Sequence, residues 1–155
     1  MLGKKWEIRL LGNLEARNGS TLIQRFSTKH IAILLAYLSR RLDHKIPRDQ
    51  LADLLWPDSE PDRGRQRLRV ALASLRGHLE PLGVAPGSVI DADREGIGLR
   101  SQSCLVDANE FWAKVNLGLS TTSQPLAIEL LRVADKLYQG PFGSGPKCIR
   151  SQGFL

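Results

Sequence analysis

The sequence predicts an α+β fold on three observations. The first 24 or so residues alternate apolar with charged side chains, as half-buried strands do. Three stretches between residues 28 and 80 repeat apolar residues at helical spacing, and two short apolar runs follow them. A chain of 155 residues has room for one ordinary domain or two small ones, which excludes a large multidomain enzyme within it.

The strand pattern occupies residues 5 to 24. Trp6, Ile8 and Leu10 alternate with charged residues, and Asn18 with Gly19 forms a turn pair. We therefore expect a small antiparallel sheet at the amino terminus.

Three helices are predicted after this sheet, each from leucines and isoleucines spaced three or four residues apart. The first spans about 28 to 40, with Ser27 as its cap. The second spans about 48 to 56 and has a proline where a hydroxyl cap is expected. The third begins at Asp62, a plausible cap, and ends at residue 79 or 80 before a proline.

The third helix has two contrasting faces. Leu68, Leu72, Leu75 and Leu79 fall in one narrow wedge, which we expect to be buried. Arginines flank this stripe and small residues lie between them. The outward positions are Arg65, Gln66, Arg69, Val70, Ala73, Ser74, Arg76 and Gly77. Long cations reach phosphates or guanine edges, and small side chains let the backbone approach base edges, so this helix suits the groove of a duplex.

Two structures are predicted after the third helix. Residues 89–92 and 97–99 are apolar runs joined by Asp-Arg-Glu-Gly, which reads as a β-hairpin. Three helices followed by a hairpin is the winged-helix order. Residues 107–119 and 125–138 are helical patterns joined by a polar linker, and they predict an α-helical hairpin. From residue 140 onward a loop or frayed tail is expected.

The charge distribution supports a polyanionic partner. The net charge is +6 and the pI is about 9.7. Residues 53–62 contain four acids and no base, whereas residues 63–76 contain five arginines and no acid. The alternative is a solvated helix face beside an acidic loop. Because Arg65 and Arg69 repel each other with no acid between them along the helix, a phosphate partner explains them better.

Other classes of site find little support. Cys104 and Cys148 are too few for a disulfide framework, and no histidine or cysteine pair has metal-ligand spacing. Residues 140–147 approach a phosphate-binding glycine loop, but the lysine is displaced and no hydroxyl follows it. We expect no active site, no metal and no cofactor. Trp6, Trp56 and Trp112 lie on apolar faces and are assigned to packing.

No apolar run approaches the roughly 20 residues that cross a bilayer, and no signal peptide is evident. A cytoplasmic, nucleoid-associated protein is expected.

Several strings resemble the SARP/AfsR class of bacterial transcription regulators, over about residues 5 to 142. This class joins an OmpR/PhoB-type winged helix to a helical bacterial transcriptional activation domain. The block LWPDS followed by the arginine-rich helix is the most specific part. The strings are residues 8–15 (IRLLGNLE), 34–38 (LLAYL), 48–59 (RDQLADLLWPDS), 65–76 (RQRLRVALASLR) and 106–111 (VDANEF).

The resemblance implies that helix 62–80 enters the major groove, that the hairpin 89–100 is the wing, and that loop 57–62 lies where such proteins touch RNA polymerase. The chain departs from the class in three ways. Positions 71, 73 and 74 are Ala, Ala and Ser where related helices are often basic, so base readout does not carry over directly. Up to residue 99 the hairpin has three acids against the single Arg94, and an acidic wing would repel phosphate. Residues 143–155 match nothing expected of the class, which suggests an amino-terminal piece of a longer regulator.

These observations lead to one interpretation: a sequence-specific double-stranded DNA-binding regulator, an activator, that dimerises on repeated half-sites. The domains expected are a winged helix at 1–101, the helical start of an activation domain, similar to a tetratricopeptide repeat, at 102–142, and a tail at 143–155. The alternative is a protein-interaction adaptor that uses the helical hairpin 107–138. The residues expected at DNA are Arg63, Arg65, Gln66, Arg67, Arg69, Ala73, Ser74, Arg76 and Arg94.

Overall fold

The predicted amino-terminal strands are present. In the computed structural model, which describes residues 4–138 and Gly140, β1 spans Trp6–Arg9, β2 spans Glu15–Asn18 and β3 spans Thr21–Ile23. β2 pairs antiparallel with both β1 and β3. Gly19 has a φ of 61°, the left-handed conformation that a tight Asn-Gly turn requires.

The three predicted helices follow the sheet: α1 at Lys29–Ser39, α2 at Arg48–Leu55 and α3 at Pro61–Leu79. The prediction of Ser27 as the cap of α1 is wrong by one residue. Thr28 is the last extended residue, and its hydroxyl accepts a hydrogen bond from the amide of Ile31 at 3.3 Å. The Ser27 hydroxyl instead lies 3.4 Å from that of Ser74 on α3.

The predicted hairpin consists of β4, Ile90–Ala92, and β5, Ile97–Leu99, paired antiparallel. The segment between α1 and α2 lies against it. Ile46 donates its amide to the carbonyl of Ile97 at 2.9 Å and accepts the amide of Ile97 at 3.0 Å. A Cβ at Gly96 would stand 2.4 Å from the carbonyl oxygen of Ile46, so this approach requires glycine. The hairpin is therefore fixed to the segment that leads into α2.

A strand that the sequence analysis did not predict completes the main sheet. β6 spans Cys104–Val106 and pairs parallel with β1, giving the order β3-β2-β1-β6. Three residues are too few to show an alternating pattern, so this strand leaves no clear periodic signal. The predicted helical hairpin follows as α4, Asp107–Ser120, and α5, Gln124–Leu137.

The core lies between the amino-terminal sheet, the first three helices and the hairpin. Its largest fully buried side chains are Ile8, Leu10, Ile33, Leu34, Leu35, Leu38, Leu51, Leu68, Leu75, Leu79, Ile90 and Ile97. Trp6 is 2% exposed, and its indole Nε1 donates to the carbonyl of Leu79 at 3.0 Å. This hydrogen bond joins β1 to the last turn of α3.

The start of α4 is joined to the same core. The carboxylate of Asp107 accepts the amide of Leu10 at 2.7 Å and that of Leu11 at 3.1 Å, and Ala108 is buried. α5 packs along α4, where Gly118 meets the side chain of Leu131. The mixed α+β class is confirmed. The division of the chain at residues 101 and 102 stays a prediction, and residues 143–155 lie outside the described part.

Candidate nucleic-acid interface

One stripe of α3 is buried against the rest of the protein. Its buried residues are Gly64, Leu68, Ala71, Leu72, Leu75 and Leu79, which include all four predicted leucines. Gly64 lies against Ala52, where an added Cβ would approach that side chain to 3.3 Å. The prediction of Asp62 as the cap is wrong. Pro61 begins the helix after an extended Glu60, and Asp62 lies in the first turn, because proline suits the first helical position.

The outer face of α3 borders a cleft of about 470 Å³. The cleft is lined by Arg48 at the start of α2, by Arg65, Leu68 and Arg69 of α3, and by Asp93 and Arg94 of the hairpin turn. Three separate elements therefore bring guanidinium groups to one depression. Such a concentration of positive charge raises the local density of counter-ions and attracts polyanions.

Arg65 is held by carboxylates. Its Nε donates to Asp49 Oδ1 at 2.8 Å and its Nη2 to Asp49 Oδ2 at 3.4 Å, while Nη1 donates to Asp62 Oδ1 at 3.1 Å. The hydrogen bonds and the charge of Arg65 hold the pKa of Asp49 below its usual value. The expectation that no acid relieves Arg65 is therefore wrong, because Asp49 of α2 and Asp62 in the first turn of α3 both pair with it.

Arg69 differs from its neighbour in this respect. In the described part of the chain, neither Arg69 nor Arg94 has an ion pair or a side-chain hydrogen bond, and Gln66 is exposed beside them. Val70 is 64% exposed and Ala73 is also exposed, so the middle of the outer face is small or apolar between the cations. This is the surface expected for close approach to a duplex.

Arg48 is a cleft residue that the sequence analysis missed. Its Nε donates to the carbonyl of Asp93 in the hairpin turn at 2.8 Å, which ties the start of α2 to that turn. Its only signal in the sequence is a position directly after Pro47, where the second helix begins. Nothing in the sequence alone indicates that this end of α2 faces the hairpin.

The acidic character predicted for the hairpin is largely neutralised. Lys45 forms ion pairs with Asp91, at 3.6 Å, and with Asp93, and Arg100 pairs with Asp91 at 3.2 Å. The Oδ1 atom of Asp93 also accepts the amides of residues 95 and 96 within the turn. The bases come from the segments before α2 and after β5, so counting charges inside the hairpin overstates its negative charge.

Arg76 is engaged within the molecule. Its Nη1 donates at 2.7 Å to Glu80, whose side chain is 1% exposed. The same carboxylate accepts amides from Gly87, Val89 and Ile90 at 2.8–3.1 Å. Burial raises the pKa of Glu80, but these amides and the charge of Arg76 outweigh it, and the net pKa lies below its usual value. Arg76 therefore has a structural role whether or not it touches DNA.

The remaining predicted residues lie away from the cleft. Arg63 and Arg67 face the loop before α3, where a second depression of about 450 Å³ is also lined by residues 58–60. Arg67 donates to the hydroxyl of Ser59 at 2.9 Å. Ser74 is half-buried near Ser27. The structure thus brings Arg65, Arg69 and Arg94 together, with Gln66 adjacent in sequence.

The tryptophans divide into two kinds. Trp6 is buried, and Trp56 is half-buried with its ring stacked on His30 at a centroid distance of 5.0 Å. Trp112 on α4 is 45% exposed, so its assignment to packing is wrong. Helical periodicity places a residue on a face without saying whether another element covers that face.

Residues 4–138 offer little support for other kinds of site. They contain no cluster of three or more His, Cys, Asp or Glu side chains that could hold a metal. Cys104 is a buried free thiol, and burial raises its pKa to about 12. Cys148 and the glycine-rich segment from residue 141 onward lie outside the described part. None of the described helices is both long and apolar enough for a membrane span.

The arrangement of three helices and a β-hairpin beside an amino-terminal sheet is consistent with a winged-helix fold. A solved structure, Mycobacterium tuberculosis EmbR in complex with a low-affinity phosphopeptide, has this fold with a TM-score of 0.75. The two chains are 24% identical, and the match covers 90% of this chain and 38% of EmbR. This chain therefore matches well under half the length of that protein. No protein-family model and no curated protein matches the sequence.

Proposed function

We propose that this protein is a sequence-specific double-stranded DNA-binding regulator that activates transcription and inserts α3 into the major groove. One observation carries the proposal: Arg48, Arg65, Arg69 and Arg94 converge on a single cleft from α2, α3 and the hairpin turn. A duplex offers phosphates on both sides of its groove, which suits cations presented on both sides of a helix.

The hairpin then acts as the wing. Its aspartates are paired with Lys45 and Arg100 or accept the turn amides, so they oppose Arg94, which lines the cleft, less than their number suggests. The exposed Val70 and Ala73 leave room for base edges, and a thymine methyl group is a suitable partner for such side chains.

Two resemblances support the proposal. The sequence resembles the SARP/AfsR class of transcription regulators, and EmbR, whose fold it shares, is a transcriptional regulator of that family. By this resemblance residues 1–101 form the DNA-binding domain and residues 102–142 begin the activation domain. Loop 57–62 is a candidate contact for RNA polymerase, and two copies would bind repeated half-sites in the nucleoid. The phosphopeptide belongs to EmbR, and nothing in this cleft requires one.

The adaptor alternative is not favoured. It would use α4 and α5, and it leaves unexplained why arginines of α2, α3 and the hairpin turn meet at a cleft on another part of the molecule. A duplex accounts for that convergence directly.

Salt dependence tests the proposal. The full chain is titrated against a fluorescent pool of random 30-base-pair duplexes at several salt concentrations. If about six phosphates are neutralised, the logarithm of the association constant falls against that of salt with a slope near −5. Arg69→Ala flattens this slope by about one unit. Arg132→Ala, the same change at an exposed position on α5, leaves the slope unchanged. A salt-insensitive complex, no binding to any duplex, or equal effects of the two variants contradicts the proposal.

A further inference from the structure

We propose that Arg65 is the residue of the cleft that reads a guanine base, and that Asp49 orients it for that purpose. This inference rests on the function proposed above and assigns a specificity-determining pair within the same site. It gives Arg65 and Arg69 different roles, whereas the sequence pattern does not distinguish the two residues.

The first argument is geometric. Asp49 binds Arg65 in bidentate fashion through Nε and Nη2, at 2.8 and 3.4 Å, and Asp62 takes one hydrogen of Nη1 at 3.1 Å. A guanidinium group has five N–H donors. One N–H therefore remains free on each terminal nitrogen. The Nη1 and Nη2 donors at the end of a guanidinium group are the pair that matches the N7 and O6 acceptors of guanine, the commonest specific contact in the major groove.

The second argument is the charge balance. Two carboxylates beside Arg65 cancel most of its attraction for phosphate, so it is poorly suited to general electrostatic binding. Arg69, one helical turn further on, lines the same cleft and has no carboxylate partner in the described chain. Arg69 therefore supplies sequence-independent attraction to phosphate, and Arg65 supplies discrimination between bases.

The third argument is that the pair contributes little to the fold. The side chain of Arg65 is 48% exposed and that of Asp49 is 68% exposed. Exposed ion pairs contribute little to stability and cost side-chain entropy to hold in one geometry. Orientation of a long, flexible side chain before it meets its target reduces that entropy cost at the moment of binding. This gives the bidentate contact a purpose that stability alone does not.

The experiment begins with selection of bound sequences by the full chain from a library of duplexes with a random centre. Each guanine of the selected duplex is then replaced in turn by 7-deazaguanine, which lacks the N7 acceptor. One replacement is expected to lower wild-type affinity up to about tenfold, because it removes one of the two hydrogen bonds of a bidentate base contact. The same replacement is expected to leave the affinity of Arg65→Ala unchanged, because that variant no longer makes the contact.

Two further variants test whether Asp49 orients Arg65 toward the base or only competes with DNA phosphates for it. Asp49→Asn keeps the fold and removes the ionic contact. It is expected to reduce discrimination at the same guanine several-fold while affinity for random duplexes stays equal or rises. Arg69→Ala is the matched control, and it is expected to weaken binding to all duplexes alike with discrimination retained. Thermal melting by circular dichroism checks that each variant is folded.

The inference is overturned if Arg65→Ala keeps the wild-type response to every 7-deazaguanine replacement. It is also overturned if Asp49→Asn raises affinity for selected and random duplexes by the same factor, since Asp49 is then only a competitor for phosphate. In both cases wild-type DNA binding persists and the proposed function stands. If the wild-type chain enriches no sequence and binds no duplex, the proposed function fails, and this inference fails with it.

Discussion

Arg76 and Glu80 form an ion pair at the end of α3, with Nη1 and Oε2 at 2.7 Å, and the carboxylate continues to three amides that lead into β4. The charged side chain of Glu80 is nearly inaccessible because it lies between the end of α3 and the segment that leads into β4. The pair joins the helix that faces the cleft to the hairpin that borders it, so the two are positioned relative to each other by one buried side chain.

Glu80→Gln is expected to destabilise the protein by about 1–3 kcal/mol at pH 7, because it removes the charge that satisfies buried amides and Arg76. The folded state holds the pKa of Glu80 below its ordinary value of 4.5. Its contribution is therefore complete above that value and is lost as the pH falls through the folded pKa. Urea unfolding at a series of pH values measures both effects. Glu95→Gln, at an exposed position of the hairpin turn, is the control, and an equal loss in both variants contradicts the prediction.

Gly98→Ala is expected to destabilise the hairpin by roughly 1–3 kcal/mol, the usual cost of forcing atoms into packed space. An added Cβ would lie 2.6 Å from the carbonyl oxygen of His44, which is backbone and cannot swing away. Gly77→Ala provides the opposite case. A Cβ added there would lie within 4 Å of no heavy atom beyond its own stretch of α3, so alanine should stabilise the helix by about 0.5–1 kcal/mol. Thermal denaturation that ranks the two variants in the reverse order contradicts this prediction.

Trp6→Phe is expected to cost about 1–3 kcal/mol, since it leaves the carbonyl of Leu79 without its indole donor in a buried site. Trp112→Phe should change stability by less than about 0.5 kcal/mol, because that side chain is exposed and surface substitutions have small effects. Chemical denaturation of the two variants compares identical changes in different surroundings. Similar losses in both would mean that Trp112 is covered in solution.

His30 is expected to titrate with a pKa below its ordinary value of 6.5. Burial against Trp56 is the main cause, and the charges of Lys29 and Arg67 act in the same direction. Since the folded state binds this proton less well than the unfolded state, the stability that His30 contributes is lost as the pH falls from 6.5 through the folded pKa. The chemical shift of its imidazole, followed by NMR against pH, gives the value. A midpoint at or above 6.5 contradicts the prediction.

The periodic features of the sequence predict the fold well. The alternation from residue 5 to 24, the leucine spacing of the three helices and the short paired runs of the hairpin are all present in the structure. These features are local, because the spacing of apolar side chains over three or four residues is enough to predict a helix or a strand. The buried stripe of α3 is the clearest success, because Leu68, Leu72, Leu75 and Leu79 are all buried.

The features that escaped prediction depend on contacts between distant segments. The bidentate carboxylate partner of Arg65 is Asp49, sixteen positions away on another helix. The neutralisation of Asp93 by Lys45 spans forty-eight positions. Neither pairing has a periodic signature, so counting charges within one helix or one hairpin gives the wrong local balance. Arg48 was missed as a cleft residue for the same reason, since only the folded chain brings the start of α2 to the hairpin turn.

The parallel pairing of β6 with β1 decides where this chain can be divided. A protein shortened at residue 101 would lose β6, together with the Asp107 carboxylate that accepts the amides of residues 10 and 11. The amides and carbonyls of Trp6 to Ile8 would then form an open edge, which other chains can extend into aggregates. A shortened protein made for binding studies should therefore retain at least the first turn of α4, and failure of a shorter one would reflect self-association, with no bearing on DNA recognition.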